Sequence, residues 1–269
     1  MEMRDKALFM EQENSTTERG NSMIRNHNAK VVEIDNALQA QDYDKLVKML
    51  TITTHSPTSK MKDKVSLSTS VAMNPYCKAR QADVSCVCHY CFANSINNAK
   101  PTVRRSCKRN SMILWNIIIP VEYWEKVKLT KAQRENMKNG FRLESLGDTF
   151  NDTQAVNYLN FVKAFPNITF TLWSKNWAIW YTIFEKYGKP ENMIYIHSSS
   201  KVNVIDEPPC PMKKYLDYVF TVYEREYAIN HPEVKYNCCT PFERRQCVRD
   251  CNECYSKGNY KYRGEILRK

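Results

Sequence analysis

Apolar residues recur along this chain in two periods, and the change of period divides it. From Val31 to Leu50, the residues Val31, Val32, Ile34, Leu38, Leu46, Val47 and Leu50 fall partly at helical spacing, which predicts one or two helices interrupted near Asp42. Thr51 to Lys62 reads as a linker loop. Beyond it, short runs rich in β-branched and aromatic residues predict strands over Val65–Val71, Phe141–Leu146, Ile168–Trp173, Met193–His197 and Tyr218–Tyr223. The last four begin about 25 residues apart, the length of chain that a strand, a helix and two loops occupy. Two helices fit between them. One runs from a cap at Asp152 through Ala164 with Ala155, Tyr158, Leu159 and Val162 on one face; the other spans Trp177 to Tyr187 and stops at Gly188 and Pro190. A long insertion separates the first two strands. It holds an apolar run from Met112 to Ile119, broken at Pro120, and helical patterns over Val121–Val127 and Lys131–Lys138, the second stopped by Gly140.

Repeated βα units give a parallel sheet, and right-handed crossovers curl it toward a barrel. The expected fold is therefore α/β, a partial parallel (β/α) barrel with a cysteine-rich C-terminal extension. The division is 1–30 as a polar, disordered or frayed lead, 31–63 as a helical segment and linker, 64–230 as the partial barrel, and 231–269 as the cysteine-rich extension with a basic tail. Reactive groups in such folds gather at the carboxyl ends of the strands. Those ends are polar here: Asn74 and Cys77, then Glu144, Ser145 and Asp148, then Ser174, Lys175 and Asn176, then Ser198 to Lys201, then Glu224 and Arg225. Ordinary helix capping would account for small polar residues but not for the recurring Lys and Glu. The run Arg142, Glu144, Asp148 reads either as a carboxylate site for an amine or hydroxyl, or as a plain surface ion pair. Trp173, Trp177 and Trp180 with Tyr181 read as core and helix packing.

Cysteine changes the picture most. The chain has eleven, clustered, with no secretory leader pattern, which favours reduced thiolates holding metal over disulfides. Cys88-x2-Cys91 is a metal knuckle, Cys77 is the natural third ligand, and Cys86 competes for that place. Three cysteines on a four-iron cluster leave one iron open to a small molecule; four around zinc give a closed structural site. A second set, Cys239, Cys247, Cys251 and Cys254, offers four thiolates, for zinc or for a cluster. Cys107, Cys210 and Cys238 stand outside both sets. A formal charge of +11 and the stretch Lys100–Arg109, which has five basic residues and no acidic one, allow a phosphate-binding patch through Arg104, Arg105, Lys108 and Arg109, or a solvated helix face. No apolar run reaches the roughly 18 to 20 residues of a membrane span, so a cytoplasmic location is expected.

The ordered motifs N-P-Y-C ending at Cys77, S-C-V-C-H-Y-C-F-A from Ser85, R-L-E-S-L-G-D from Arg142, T-L-W-S-K-N from Thr171, I-H-S-S-S-K-V-N from Ile196, V-F-T-V-Y from Val219, and the cysteine-rich end resemble the phage-associated gene product 88 family. The likeness runs from about Val65 to Tyr255. The location would then be the host cytoplasm. The layout is also similar to radical S-adenosylmethionine enzymes, with Tyr90 at the aromatic position before the last cysteine. It departs from them in spacing, Cys77-x10-Cys88-x2-Cys91 replacing Cys-x3-Cys-x2-Cys. Cys247, Cys251 and Cys254 do have that spacing, but they follow the strands and carry Glu253 before the last cysteine. This resemblance implies a [4Fe–4S] cluster on Cys77, Cys88 and Cys91, an auxiliary cluster on Cys239, Cys247, Cys251 and Cys254, and S-adenosylmethionine as cofactor. Glu144, Ser145 and Asp148 would take its amine and ribose; Ser174, Lys175 and Ser198 would line the carboxylate and substrate side. A flavodoxin or ferredoxin would supply electrons, and the substrate would be a nucleic acid or nucleotide. The alternative is a zinc- or cluster-stabilised nucleic-acid-binding module without turnover.

Overall fold

The computed structural model describes residues 28–235, 238–239, 253–258 and 261–267. The chain divides into two compact units, Met1–Asp42 and Tyr43–Lys269. In the first, residues 28–39 are helical (α1), with Ile34 and Ala37 buried; the predicted lead over residues 1–27 lies outside the described residues.

The second unit is built on an eight-stranded sheet in the order β1-β2-β3-β4-β5-β6-β8-β7. Its strands are β1 (Thr53–Thr54), β2 (Val65–Leu67), β3 (Phe141–Leu143), β4 (Phe170–Ser174), β5 (Met193–Ser198), β6 (Tyr218–Tyr223), β7 (Cys238–Cys239) and β8 (Lys261–Ile266). Among the described strands, only the β1–β2 pair is antiparallel. From β2 to β6, consecutive strands are neighbours and parallel, as a run of βα units dictates. Helices fill the connections: α2 (Tyr43–Met49), α3 (Pro75–Ala82), α4 (Phe92–Ala99), α5 (Pro101–Leu114), α6 (Lys131–Met137), α7 (Asp152–Ala164), α8 (Trp177–Tyr187), and the short α9 (Cys210–Lys213), α10 (Arg225–Asn230) and α11 (Pro232–Lys235).

Local chemistry sets these boundaries. Asn151 caps α7 by accepting the Gln154 amide at 3.0 Å. Gly188, at φ 74°, ends α8 where a left-handed residue is needed. Because side chains alternate along a strand, the register puts Phe141, Phe170 and Met193 on one face of the sheet and Arg142, Thr171 and Ile194 on the other. The first face packs on α7 and α8: Phe161 lies 5.1 Å from Phe141 and 5.2 Å from Phe170, ring to ring, and Trp180 lies 5.9 Å from Tyr195. Truncating one of these rings to alanine costs about 3–5 kcal/mol. Trp180 is fully buried, as the packing reading expects, and its indole donates to Thr149 Oγ1 at 2.9 Å.

Four sequence expectations need correction. The strand expected over Val65–Val71 ends at Leu67, because the Thr69 and Ser70 amides leave the ladder to bond the Glu144 carboxylate and Ser111 Oγ. The one expected over Phe141–Leu146 ends at Leu143, because Glu144 turns to φ 52°. The linker expected over Thr51–Lys62 contains β1, and the basic tail of 231–269 contains β8, which pairs along its whole length with β6. The charged sequence of β8 concealed it. Gly258 allows the approach to β8, since a Cβ there would lie 2.5 Å from the Tyr218 ring and 2.7 Å from the Asp217 carbonyl oxygen.

Candidate active site at the carboxyl ends of the strands

Glu144 leaves β3 with its carboxylate 2 % exposed, inside a cage of donors. The Thr69 hydroxyl donates to Oε1 at 2.7 Å and the Thr69 amide to Oε2 at 3.1 Å. The Gln154 amide group donates to Oε1 at 2.6 Å, and the Tyr158 hydroxyl donates to the same oxygen. Burial still outweighs these donors and pushes the carboxyl up to about 7. Gly147 is required beside it: a Cβ there would sit 2.5 Å from Glu144 Oε2. The sequence offered no sign of Thr69, Gln154 or Tyr158 as its partners. Ser145 points to the same strand exits and bonds the hydroxyls of Ser68 at 2.9 Å and Ser66 at 3.1 Å.

Asp148 links three strand ends. Ser174 Oγ donates to its Oδ1 at 2.5 Å and the Lys175 amide to its Oδ2 at 2.9 Å, while its own carbonyl accepts from Asn74 Nδ2 at 2.8 Å. Lys175 then reaches across to donate from Nζ to Ser198 Oγ at 2.7 Å. Burial raises the Asp148 carboxyl above its ordinary value; Ser174, the Lys175 amide and the Lys175 charge oppose that rise. Thus Asp148, Ser174, Lys175 and Ser198, singled out separately in the sequence, form one connected chain.

The cysteine loop docks on this chain. Asn74 caps α3 through the Tyr76 and Cys77 amides, which fixes Cys77 in the first helical turn and buries it. The loop is tied to the end of β5 by Val87 N–H donating to the Ser200 carbonyl at 2.7 Å and by Arg80 donating to Ser200 Oγ at 2.7 Å. Burial, then the Asp148 and Glu144 carboxylates, push the Cys77 thiol well up. The Cys86 thiol is pulled down, first by a hydrogen bond from Cys88, whose own thiol rises for the same reason and through burial. Cys91 is half-buried and precedes α4, with no capping bond from its side chain. Among the described residues, no three His, Cys, Asp or Glu side chains converge as a ready-made centre for one metal ion. The thiols of Cys77, Cys88 and Cys91 therefore lie on α3 and the segment after it without meeting as a ready-made centre for one ion.

Near the loop lie buried polar atoms without a well-formed hydrogen bond: the Tyr76 and Tyr195 hydroxyls and both ring nitrogens of His197, with Arg80, Ser174 and the Asp206 backbone as their respective nearby groups. His197 is 2 % exposed, and burial, aided by Lys175 and Arg80 against Asp206, lowers it to about 4. Buried polar groups are normally satisfied, so a set without well-formed bonds beside Asp148 and Lys175 marks a place for bound water or ligand. A lone histidine in a strand gave no signal of this in the sequence.

Elsewhere, the structure separates the remaining candidates. Arg105 and Lys108 are exposed on α5 and Arg104 is half-buried, whereas Arg109 is spent on the Met49 carbonyl and Thr51 hydroxyl, both at 3.4 Å. Cys107 is buried and Cys210 exposed. Of the C-terminal ligand set, Cys247 and Cys251 lie outside the described residues, and Cys239 is placed only as part of β7. Cys254 packs on Ile194, Ile196 and Tyr218, on the sheet face away from α7 and α8. Among the described residues, no helix is long and apolar enough to cross a membrane.

The model of the gene product 88 family matches residues 35–257. No curated protein and no solved structure matches the chain.

Proposed function

We propose that this chain, which belongs to the gene product 88 family, is an iron–sulfur enzyme of the radical S-adenosylmethionine kind, with its sequential parallel strands curved as part of a (β/α) barrel. The observation that carries the reading is the docking of a cysteine loop onto the carboxyl ends of β2 to β5, beside a buried Asp148–Ser174–Lys175–Ser198 chain and buried polar atoms without well-formed hydrogen bonds. Thiols suit a thiolate-bound cluster in donor type, and Cys77, in the first turn of α3, with Cys88 and Cys91 in the segment that follows, would hold it. When bound and reduced, such a cluster supplies the electron that splits S-adenosylmethionine. The chain's own groups have separate tasks. Asp148 and Glu144 present carboxyl groups toward a cationic amine or a ribose hydroxyl, while Lys175 and Arg80 supply positive charge toward a carboxylate. The buried strand ends exclude water from whatever is held there. Cys239, Cys247, Cys251 and Cys254 are assigned to an auxiliary cluster, with a flavodoxin or ferredoxin as reductant.

A nucleic-acid or nucleotide substrate is favoured by the exposed Arg105 and Lys108 on α5, with Arg104 beside them. The test is to mix the reduced, anaerobically purified protein with S-adenosylmethionine and to measure 5′-deoxyadenosine. Product formation supports the reading. Its absence, with no spectral change on adding the cofactor, overturns it and leaves a structural or redox metal protein.

A further inference from the structure

Two aromatic rings stand in solvent at the edge of the cysteine loop. Tyr90 ends the short helical turn Val87–Tyr90 and is 49 % exposed; Phe92, the first residue of α4, is 61 % exposed. Scattered apolar side chains are ordinary on a surface, but two rings two residues apart form a patch. His89, also exposed, packs edge-to-face on Tyr90 with the ring centroids 5.2 Å apart. The Val87 amide and Arg80, both bonded to Ser200, hold this turn at the end of β5. The rings therefore border the strand exits that carry Lys175 and Ser198.

The chain leaves this turn through α4 and α5, which pack on each other with only Lys100 between them. Between Asp83 and Glu122 the sequence has no acidic residue and five Lys or Arg. Helical spacing sorts the side chains. In α4, Phe92, Ser95 and Asn98 are exposed at every third position while Ala93 and Asn97 are buried; in α5, Thr102, Arg105 and Lys108 are exposed in the same rhythm while Cys107, Asn110 and Leu114 are buried. Rings lie at one end of this segment and cations at the other. Cations alone would suit any polyanion, and rings alone any apolar partner. The combination suits a polyanion that also offers flat apolar faces, which is a nucleic-acid strand with unpaired bases. A duplex keeps those faces stacked inside and presents phosphates and base edges instead.

We propose that Tyr90, Phe92, Lys100, Arg105 and Lys108 form a track for single-stranded nucleic acid, with bases stacked on the two rings and phosphates held by the three cations, which brings unpaired nucleotides to the carboxyl ends of the strands. The inference rests on the nucleic-acid reading of the substrate given above and narrows it to unpaired strands. It requires binding and no turnover.

The probe is a labelled oligonucleotide of about 12 nucleotides, as DNA and as RNA, each unpaired and as a duplex of the same sequence, titrated with the full-length protein by fluorescence anisotropy at one fixed ionic strength. The expected result is saturable binding of the unpaired form at least tenfold tighter than that of the duplex, and the two backbones show which strand is preferred. Phe92→Leu and Tyr90→Leu keep an apolar surface but lose the ring, and each weakens binding by about fivefold or more, whereas Phe92→Tyr retains it. Arg105→Gln and Lys108→Gln each reduce the slope of log affinity against log salt by about 0.7. All four positions are exposed, so unchanged melting temperatures verify that the variants are folded. A duplex bound as tightly as the single strand, or leucine variants that bind as well as wild type, overturns the track; no binding of any oligonucleotide also overturns it and leaves the rings to a protein partner. Failure of the enzyme reading looks different: strand binding without 5′-deoxyadenosine formation keeps the track and removes the radical chemistry, and the converse removes the track alone.

Discussion

Replacing Glu144 with Gln probes the buried cage at the exit of β3. In the folded protein the carboxyl is raised from 4.5 to about 7, chiefly by burial. The folded state therefore keeps a proton that the unfolded chain releases near 4.5. The associated stability is fully present below about pH 4.5 and is lost as pH rises through 7. With about 1.4 kcal/mol per unit, the span corresponds to about 3 kcal/mol. The carboxyl is 2 % exposed, so solvent screening takes little from that figure. Glutamine does not titrate, and it turns an amide N–H₂ toward one of the four donors that the carboxylate accepted, a pH-independent loss of about 1–3 kcal/mol. Urea denaturation of both proteins between pH 4.5 and 8 isolates the effect, because other titrating groups cancel in the difference. The wild-type advantage should shrink by about 3 kcal/mol up to pH 7.5 and then stay level. A difference that is flat with pH, or that grows with it, would refute the reasoning, since the four donors would then outweigh burial and hold the carboxylate ionised.

Three other substitutions test neighbouring parts of the site. Gly147→Ala drives a Cβ to 2.5 Å from Glu144 Oε2, and a loss of about 1–3 kcal/mol in thermal or chemical unfolding is expected; unchanged stability would mean that the cage yields freely. His197 is held neutral, from 6.5 to about 4, so its stabilising share is present above pH 6.5 and lost as pH falls toward 4. His197→Phe should remove that acid-side loss, and melting curves at pH 7 and pH 4.5 with the same slope as wild type would contradict the burial argument. Arg80→Met cuts one of the two ties between the cysteine loop and Ser200, so exchange of the Val87 amide should accelerate about tenfold or more; unaltered protection would show that the main-chain bond suffices.

Much of this architecture is legible in the sequence because burial on a parallel sheet leaves a strong imprint. The strand read over Met193–His197 is buried throughout and runs on to Ser198; α7 spans the predicted residues with its cap one position earlier, at Asn151 instead of Asp152, and α8 ends at the predicted Gly188. β8 escaped because its sequence K-Y-R-G-E-I is charged and half-exposed, and nothing local distinguishes it from a basic tail. The polar strand ends were found as separate residues, yet their linkage through Asp148 is a tertiary fact, created when β3 and β4 lie side by side. The same holds for Glu144, whose partners come from Thr69 before it and from Gln154 and Tyr158 ten and fourteen residues after it. Cys86, which the sequence leaves competing with Cys77 for the third ligand place, is buried and accepts the Cys88 amide at 3.5 Å.

Anaerobic purification followed by iron, sulfide and zinc analysis of the wild type and of the single Cys77→Ser, Cys86→Ser, Cys88→Ser and Cys91→Ser variants tests the iron–sulfur assignment most directly. The account predicts a brown protein with iron and acid-labile sulfide, whose loop-bound share is lost from the Cys77, Cys88 and Cys91 variants and kept by Cys86→Ser. A colourless wild type containing zinc, or a Cys86→Ser variant as depleted as the other three, would contradict it.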